Sequence, residues 1–182
     1  MKKLTAILLW SLILILPAET REVGGIKLPD QQDELQLAGA GLLRKGFFFK
    51  VYVGALYVSD TNHLTRILSN VPKRLDIHYF HHTPRKHMIN AAEEAMRNNF
   101  DEQDMARFRP YLDRLHTAYR DGHAGAVASI VHRPGEGLTY FFNDQKLLTI
   151  PSDRFANAYL TIWLGQHPSS QTMKEALLNA VE

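Results

Sequence analysis

Apolar and aromatic residues alternate along Phe47–Val58 as a pleated strand requires, and apolar and polar positions alternate with a period of two over Arg74–Phe80. In the second stretch Leu75, Ile77 and Tyr79 fall on one face and Asp76, His78 and Phe80 on the other. Glu34–Ala38 reads as a further strand that meets Phe47–Val58 through the glycine-rich turn Gly39-Ala40-Gly41. Later in the chain, Ala126–His132, Leu138–Phe142 and Lys146–Ile150 are separated by Pro134-Gly135-Glu136-Gly137 and Asn143-Asp144-Gln145. Short strands punctuated by such residues predict a meander.

Between these strand blocks the period changes to that of helices. Asn62–Asn70 predicts a short helix ended by Val71-Pro72, and Thr83 caps a helix that starts at Pro84 and runs to about Asn99. Asp101 caps a second long helix over Glu102–Tyr119, where Met105, Phe108, Leu112, Leu115 and Tyr119 recur at helical spacing as plain core. Ser152 opens a helix through Trp163 that Gly165 ends, and Ser169 or Ser170 opens the last one through Ala180. Hairpins separated by blocks of helices argue for an α+β fold, a large antiparallel sheet with helices on one face and the other face left as a cleft.

The first eighteen residues differ in kind from the rest. Lys2 and Lys3 precede an apolar run from Leu4 to Leu16, and Pro17-Ala18 supplies a small residue before Glu19. This is the pattern of a secretory signal peptide, and the run is shorter than the roughly 20 apolar residues of a membrane span. The expected organisation is a signal peptide over 1–18, a single domain over 19–182, a periplasmic or secreted location, and no stable membrane span after cleavage. Removing Lys2 and Lys3, with no acid, brings the formal charge of +2 to zero, which argues against a nucleic-acid partner. The chain has no cysteine, so disulfides, thiol catalysis and cysteine metal sites are excluded.

Candidate chemistry concentrates near the glycine-rich stretch. Arg44, Lys50 and Tyr52 share even parity and so project from one strand face, a cationic, phenol-bearing surface suited to an anion or an oxyanion. The blander readings are a solvated arginine at a hairpin tip, a snorkelling lysine and a core tyrosine with one bonded hydroxyl. His78, His81, His82 and His87 crowd into ten residues, but no His-x-x-x-His pair sits on a helix and no third carboxylate ligand accompanies them. They read as solvated or cleft-lining histidines, and neither a metal nor another cofactor is expected. Glu93, Glu94 and Arg97 read as a solvated helix face.

Four landmarks in order resemble the chalcone isomerase fold family: Gly39-Ala40-Gly41 followed by Arg44, Lys50-Val51-Tyr52 followed by Leu56-Tyr57, the Thr83-Pro84 helix start, and Trp163-Leu164-Gly165-Gln166-His167-Pro168. The resemblance spans most of the mature chain and implies an open-faced sandwich, a large antiparallel β-sheet packed on a layer of α-helices that encloses a cleft. The family includes plant enzymes that cyclise chalcones, fatty-acid-binding relatives in plastids, non-catalytic members, and secreted bacterial proteins of unassigned function, which this chain resembles most. Of the plant enzymes' polar set the chain keeps the arginine, as Arg44, while the other positions become Tyr52, His78, His87, Glu94 and Ile162. Cyclisation needs a cation for the attacking phenolate and hydroxyls for the developing enolate, so that loss weakens an enzymatic reading. The fatty-acid-binding relatives pair the arginine with the tyrosine of a Lys-Val-Tyr strand, which matches Lys50-Val51-Tyr52.

The resemblance therefore implies non-catalytic binding of a fatty acid or similar amphipathic or aromatic ligand, with Arg44, Lys50, Tyr52, His78 and His87 as binding residues. The alternative it leaves is an intramolecular lyase of chalcone isomerase type, with Arg44 and His87 as its catalytic groups.

Overall fold

The computed structural model describes residues 20–179; the signal-like segment 1–18 lies outside them. Thr20–Val23 (β1) and Ile26–Pro29 (β2) form an antiparallel hairpin across Gly24-Gly25. Gln31–Gln32 (β3), Leu35–Lys45 (β4), Phe49–Val58 (β5), Lys73–Tyr79 (β6), Val127–Arg133 (β7), Gly137–Phe142 (β8) and Gln145–Ile150 (β9) pair in chain order as one antiparallel sheet. A 3₁₀ turn, Thr61–Arg66, links β5 to β6. Helices Arg85–Arg97 (α1) and Glu102–Ala118 (α2) separate β6 from β7, while Asp153–Leu164 (α3) and Gln171–Leu178 (α4) follow β9. The fold is thus α+β, with the meander and the helical blocks in the order the periodicity predicts. Among the described residues no helix is long and apolar enough to cross a membrane.

The two faces of the sheet are covered differently. Leu75, Ile77 and Tyr79 of β6 join Leu56, Ile130 and Tyr140 against Met96, Leu112, Phe155 and Leu160 of the helices, forming the main core. The opposite face packs Val53, Ala55 and Tyr57 of β5 against Leu28 and Ile26 of β2, with Phe80 at the margin. Sequence periodicity leaves that second face as a cleft, and the structure corrects this. The β1–β2 hairpin covers part of it, and a buried ionic group lies farther along: Arg74 donates to Asp76 (2.7 Å), Asp33 (2.6 Å) and the Ser129 hydroxyl (3.0 Å).

Gly39-Ala40-Gly41 is a second correction, since it lies inside β4 and is no turn. The reversal occurs at Gly46, whose φ of +64° is a left-handed conformation open to glycine. Gly39 and Gly41 instead serve helix packing. A Cβ on Gly39 would lie 2.5 Å from the carbonyl oxygens of Ala176 and Leu177, and one on Gly41 would lie 2.7 Å from Cβ of Ala176. Gly54, opposite Gly41 on β5, would bring a Cβ within 3.2 Å of the Met173 sulfur. Helix α4 therefore rests on backbone. Gly39→Val is expected to displace it, costing about 1–3 kcal/mol as overpacking, or roughly 3–10 °C in Tm for a domain of this size. A thermal melt unchanged within 1 °C would show that α4 is not held there.

His132 is completely buried, with Nε2 3.0 Å from Asp153, which also accepts the Gly135 backbone N–H. The contact ties α3 to the β7–β8 turn. If Nε2 donates to the carboxylate, a second proton on Nδ1 would find no acceptor, since that nitrogen has no partner among the described residues. Burial pushes His132 below the ordinary histidine range, with the nearby Lys73 acting in the same direction and Asp153 opposing. His116 and His78 are lowered by burial too, each partly offset by a carboxylate, Glu93 and Asp76 respectively. In all three the unfolded chain binds the proton more readily, so stability rises with pH and is lost as pH falls through about 6.5. Tm measured from pH 7.5 to 5.5 should therefore decline, with a shallower decline in His132→Gln; equal slopes would remove His132 from this role.

Candidate functional site

Moving along the helix-facing side of β5, the small Gly54 under α4 gives way to Tyr52, and there the helices stand away from the sheet. The result is a cavity of about 450 Å³, within the roughly 300–1,000 Å³ range of ligand sites. Its walls are apolar: Leu43, Val51, Ile77 and Ile130 from the sheet, Met88 and Ala92 from α1, Ile162 and Trp163 from α3. Tyr52, Tyr79, Tyr119 and Tyr140 supply phenol rings, Thr83 a hydroxyl, and Lys45 and His87 the cationic or titratable nitrogens. Among the described residues no Asp or Glu lines it.

The hydroxyls are oriented by their neighbours. Trp163 donates its indole N–H to Tyr52 (3.2 Å), and because indole can only donate, the phenol keeps its own proton to give. Burial pushes Tyr52 up to about 12, despite the opposing Trp163 bond, so it is a neutral donor at physiological pH. Tyr79 donates toward the Met88 sulfur (3.0 Å), and the Tyr119 ring stacks on Tyr140 while its hydroxyl meets that of Tyr159. Burial raises Tyr79 and Tyr119 well above the ordinary phenol range and raises Tyr140 also. Four neutral phenols, and no carboxylate among the described residues, leave the wall without negative charge.

One extra residue decides which cations reach this wall. Leu43 pairs with Tyr52 while Arg44 pairs with Lys50, so Val51 is a bulge between them. The alternation read from sequence breaks at that point. Val51 and Tyr52 both line the cavity, whereas the Lys50 ammonium turns to the other face, donates to the Gly24 carbonyl (2.7 Å) and lies over the Phe80 ring. Arg44, opposite Lys50, shares that face and is exposed, outside the cavity. The shared face expected for Arg44, Lys50 and Tyr52 is therefore corrected: only Tyr52 faces the cavity.

The histidines diverge as well. His87, in the first turn of α1, lines the mouth of the cavity. His78 sits opposite Val53 on the hairpin-covered face, so the expected cleft position is corrected by strand parity. His81 stacks on Phe49 and His82 is exposed. Glu94 is exposed on α1, and Ile162 lines the cavity. Among the described residues no group of three His, Asp or Glu side chains converges as a metal site. Lys45, Tyr79, Tyr140 and Trp163 escaped the sequence reading as site residues. Lys45 was legible in principle, since it shares parity with Leu43 within β4, and Trp163 belonged to the landmark Trp163-Leu164-Gly165.

An antiparallel meander backed by helices, with an apolar cavity of ligand size between the layers, defines an open-faced sandwich. The chain belongs to the chalcone isomerase-like family, whose pattern matches residues 20–179. Its fold is shared with a fatty-acid binding protein of Arabidopsis thaliana at a TM-score of 0.69, with 12% identity over 88% of this chain and 96% of that one. None of the curated proteins matches.

The Tyr52–Trp163 bond can be tested directly. Tyr52→Phe leaves the indole N–H without its acceptor and should cost about 1 kcal/mol, roughly 2–4 °C in Tm. An unchanged melt together with unchanged Trp163 fluorescence would show that the bond is not formed.

Proposed function

We propose that this protein binds an amphipathic carboxylate such as a fatty acid in the cavity between sheet and helices, without converting it, after export to the periplasm or beyond. The observation that carries the reading is the lining: apolar walls, the neutral Tyr52 donor, Lys45 and His87 at the mouth, and no acid among the described residues. An acyl chain is driven into such walls by burial of apolar surface, while its carboxylate stays near the lysine and accepts from Tyr52 or Thr83 hydroxyls. The N-terminus of α1 adds partial positive charge near the mouth, where Thr83 and His87 stand. The fold shared with a fatty-acid binding protein supports binding over catalysis. Lys45 replaces Arg44 as the anchoring cation in this reading. The intramolecular-lyase alternative has less support, because the arginine it would use for a phenolate lies outside the cavity.

Saturated fatty acids of eight to eighteen carbons should protect the protein against thermal unfolding. At a hundredfold excess over Kd the expected gain is about 2.7 kcal/mol, roughly 5–10 °C. Lys45→Ala should weaken binding about two- to fivefold, as for an exposed ion pair, and Arg44→Ala should leave it unchanged. Ala128→Leu, which projects into the cavity, should abolish the shift. Absence of protection by any acid, or equal protection of the Ala128→Leu variant, overturns the proposal; flavanone formation from chalcone by the purified protein would replace it with the lyase.

A further inference from the structure

The β4–β5 hairpin ends in three consecutive phenylalanines that the fold leaves uncovered. Phe47 is 90% exposed, Phe48 94% and Phe49 51%. Isolated exposed apolar side chains are ordinary, but three adjacent aromatic rings at the tip of a hairpin are not. Nothing in the fold requires them: the turn is made by Gly46, and neither Phe47 nor Phe48 belongs to either core cluster. Phe49 stacks on His81 with ring centroids 4.6 Å apart, which fixes the base of the tip and leaves Phe47 and Phe48 projecting beyond it.

The charge along the β4–β5 hairpin has one sign, and the nearest acid of the β1–β2 hairpin, Glu22, lies beyond the Lys50–Gly24 contact. Arg44, Lys45 and Lys50 flank the phenylalanines, and no Asp or Glu occurs from Leu35 to Ser59. The segment that faces the hairpin, from Ile77 to Ala92, also has no acid and contributes His81, His82 and Lys86. Asp121 is the nearest carboxylate to the start of α1, and it is engaged by the Arg85 backbone N–H. Aromatic rings that enter the interfacial region, ringed by cations that meet anionic headgroups, form the pattern of a peripheral membrane contact. A second protein surface would need complementary acid and a matching groove.

We infer that the Phe47-Phe48-Phe49 tip docks this protein on an anionic lipid bilayer. Lys45 and Val51 line the cavity on either side of the same hairpin end, so docking would turn the cavity mouth toward the lipid. An amphiphile leaving the bilayer would then meet apolar wall and cation before bulk water. That use of the contact rests on the binding reading above; the docking itself does not.

The test is cosedimentation of the full chain with phosphatidylcholine vesicles, with and without one quarter phosphatidylglycerol, for the wild type and for Phe47→Ser/Phe48→Ser. Using one chain length throughout keeps any contribution of Leu4–Leu16 equal on both sides. The wild type should bind the anionic vesicles at least tenfold better than the double variant. The difference should shrink in 0.5 M salt, where exposed charges are screened within about 4 Å, and with Arg44→Glu, which reverses one of the charges that meet the headgroups. Phe48→Trp should add a blue-shifted emission on anionic vesicles only. Fatty-acid protection of the double variant in solution should equal that of the wild type, which separates failure of docking from failure of the cavity reading. Equal vesicle binding by wild type and double variant, or a wild-type dimer that Phe47→Ser/Phe48→Ser converts to monomer, overturns the proposal, the second by assigning the tip to another copy of this chain.

Discussion

Helix α4 lies on bare backbone, and the arrangement of the site follows from that contact. Gly39, Gly41 and Gly54 leave no room for a side chain beneath Ala176, Leu177 and Met173. With the helix held this close, the α3–α4 connection at Gly165–Ser170 is drawn in toward β5, and Trp163 reaches the Tyr52 hydroxyl. Where glycine yields to tyrosine along β5, α4 no longer covers the strand, and the space beside Tyr52 is the cavity.

The charged groups are sorted by the same sheet. Arg74, Asp76 and Ser129 occupy the face away from the cavity, where each buried charge has a partner, as burial demands. Lys73 is also fully buried, but its ammonium donates to the Ser69 and Val71 carbonyls and to Asn157, and burial pulls its pKa down to about 7. Among the described residues the cavity contains neither acid nor ion pair. An anion entering it would face no internal competitor for Lys45, which a salt-bridged cation could not offer.

Element types and their order were legible because local signals agreed with the tertiary structure. Asp101, Ser152 and Ser170 cap α2, α3 and α4 through their side chains, and the meander turns fall at Gly135 and Asn143 with positive φ. Two features were hidden for physical reasons. A glycine run carries one signature for a turn and for a close helix approach, and only the position of α4 tells them apart. A bulge is invisible to parity, so Lys50 and Arg44 were assigned to the face that Lys45 and Val51 supply. Strands β1 and β2 were missed although Gly24-Gly25 between two short runs is a hairpin signal. Their apolar residues are few, and they form against a sheet face that is itself half polar.

Val51 also uncouples the wall of the chamber from the integrity of the sheet. Pairing resumes in phase on both sides of it, from Tyr52 onward with β6 and from Lys50 back to the turn with β4. Loss of a single codon within a strand ordinarily inverts every side chain beyond it. At this position it would remove one side chain from the chamber and leave each neighbour on its present face. Length variation, commonly confined to loops, is thereby admitted into the cavity wall without cost to the core.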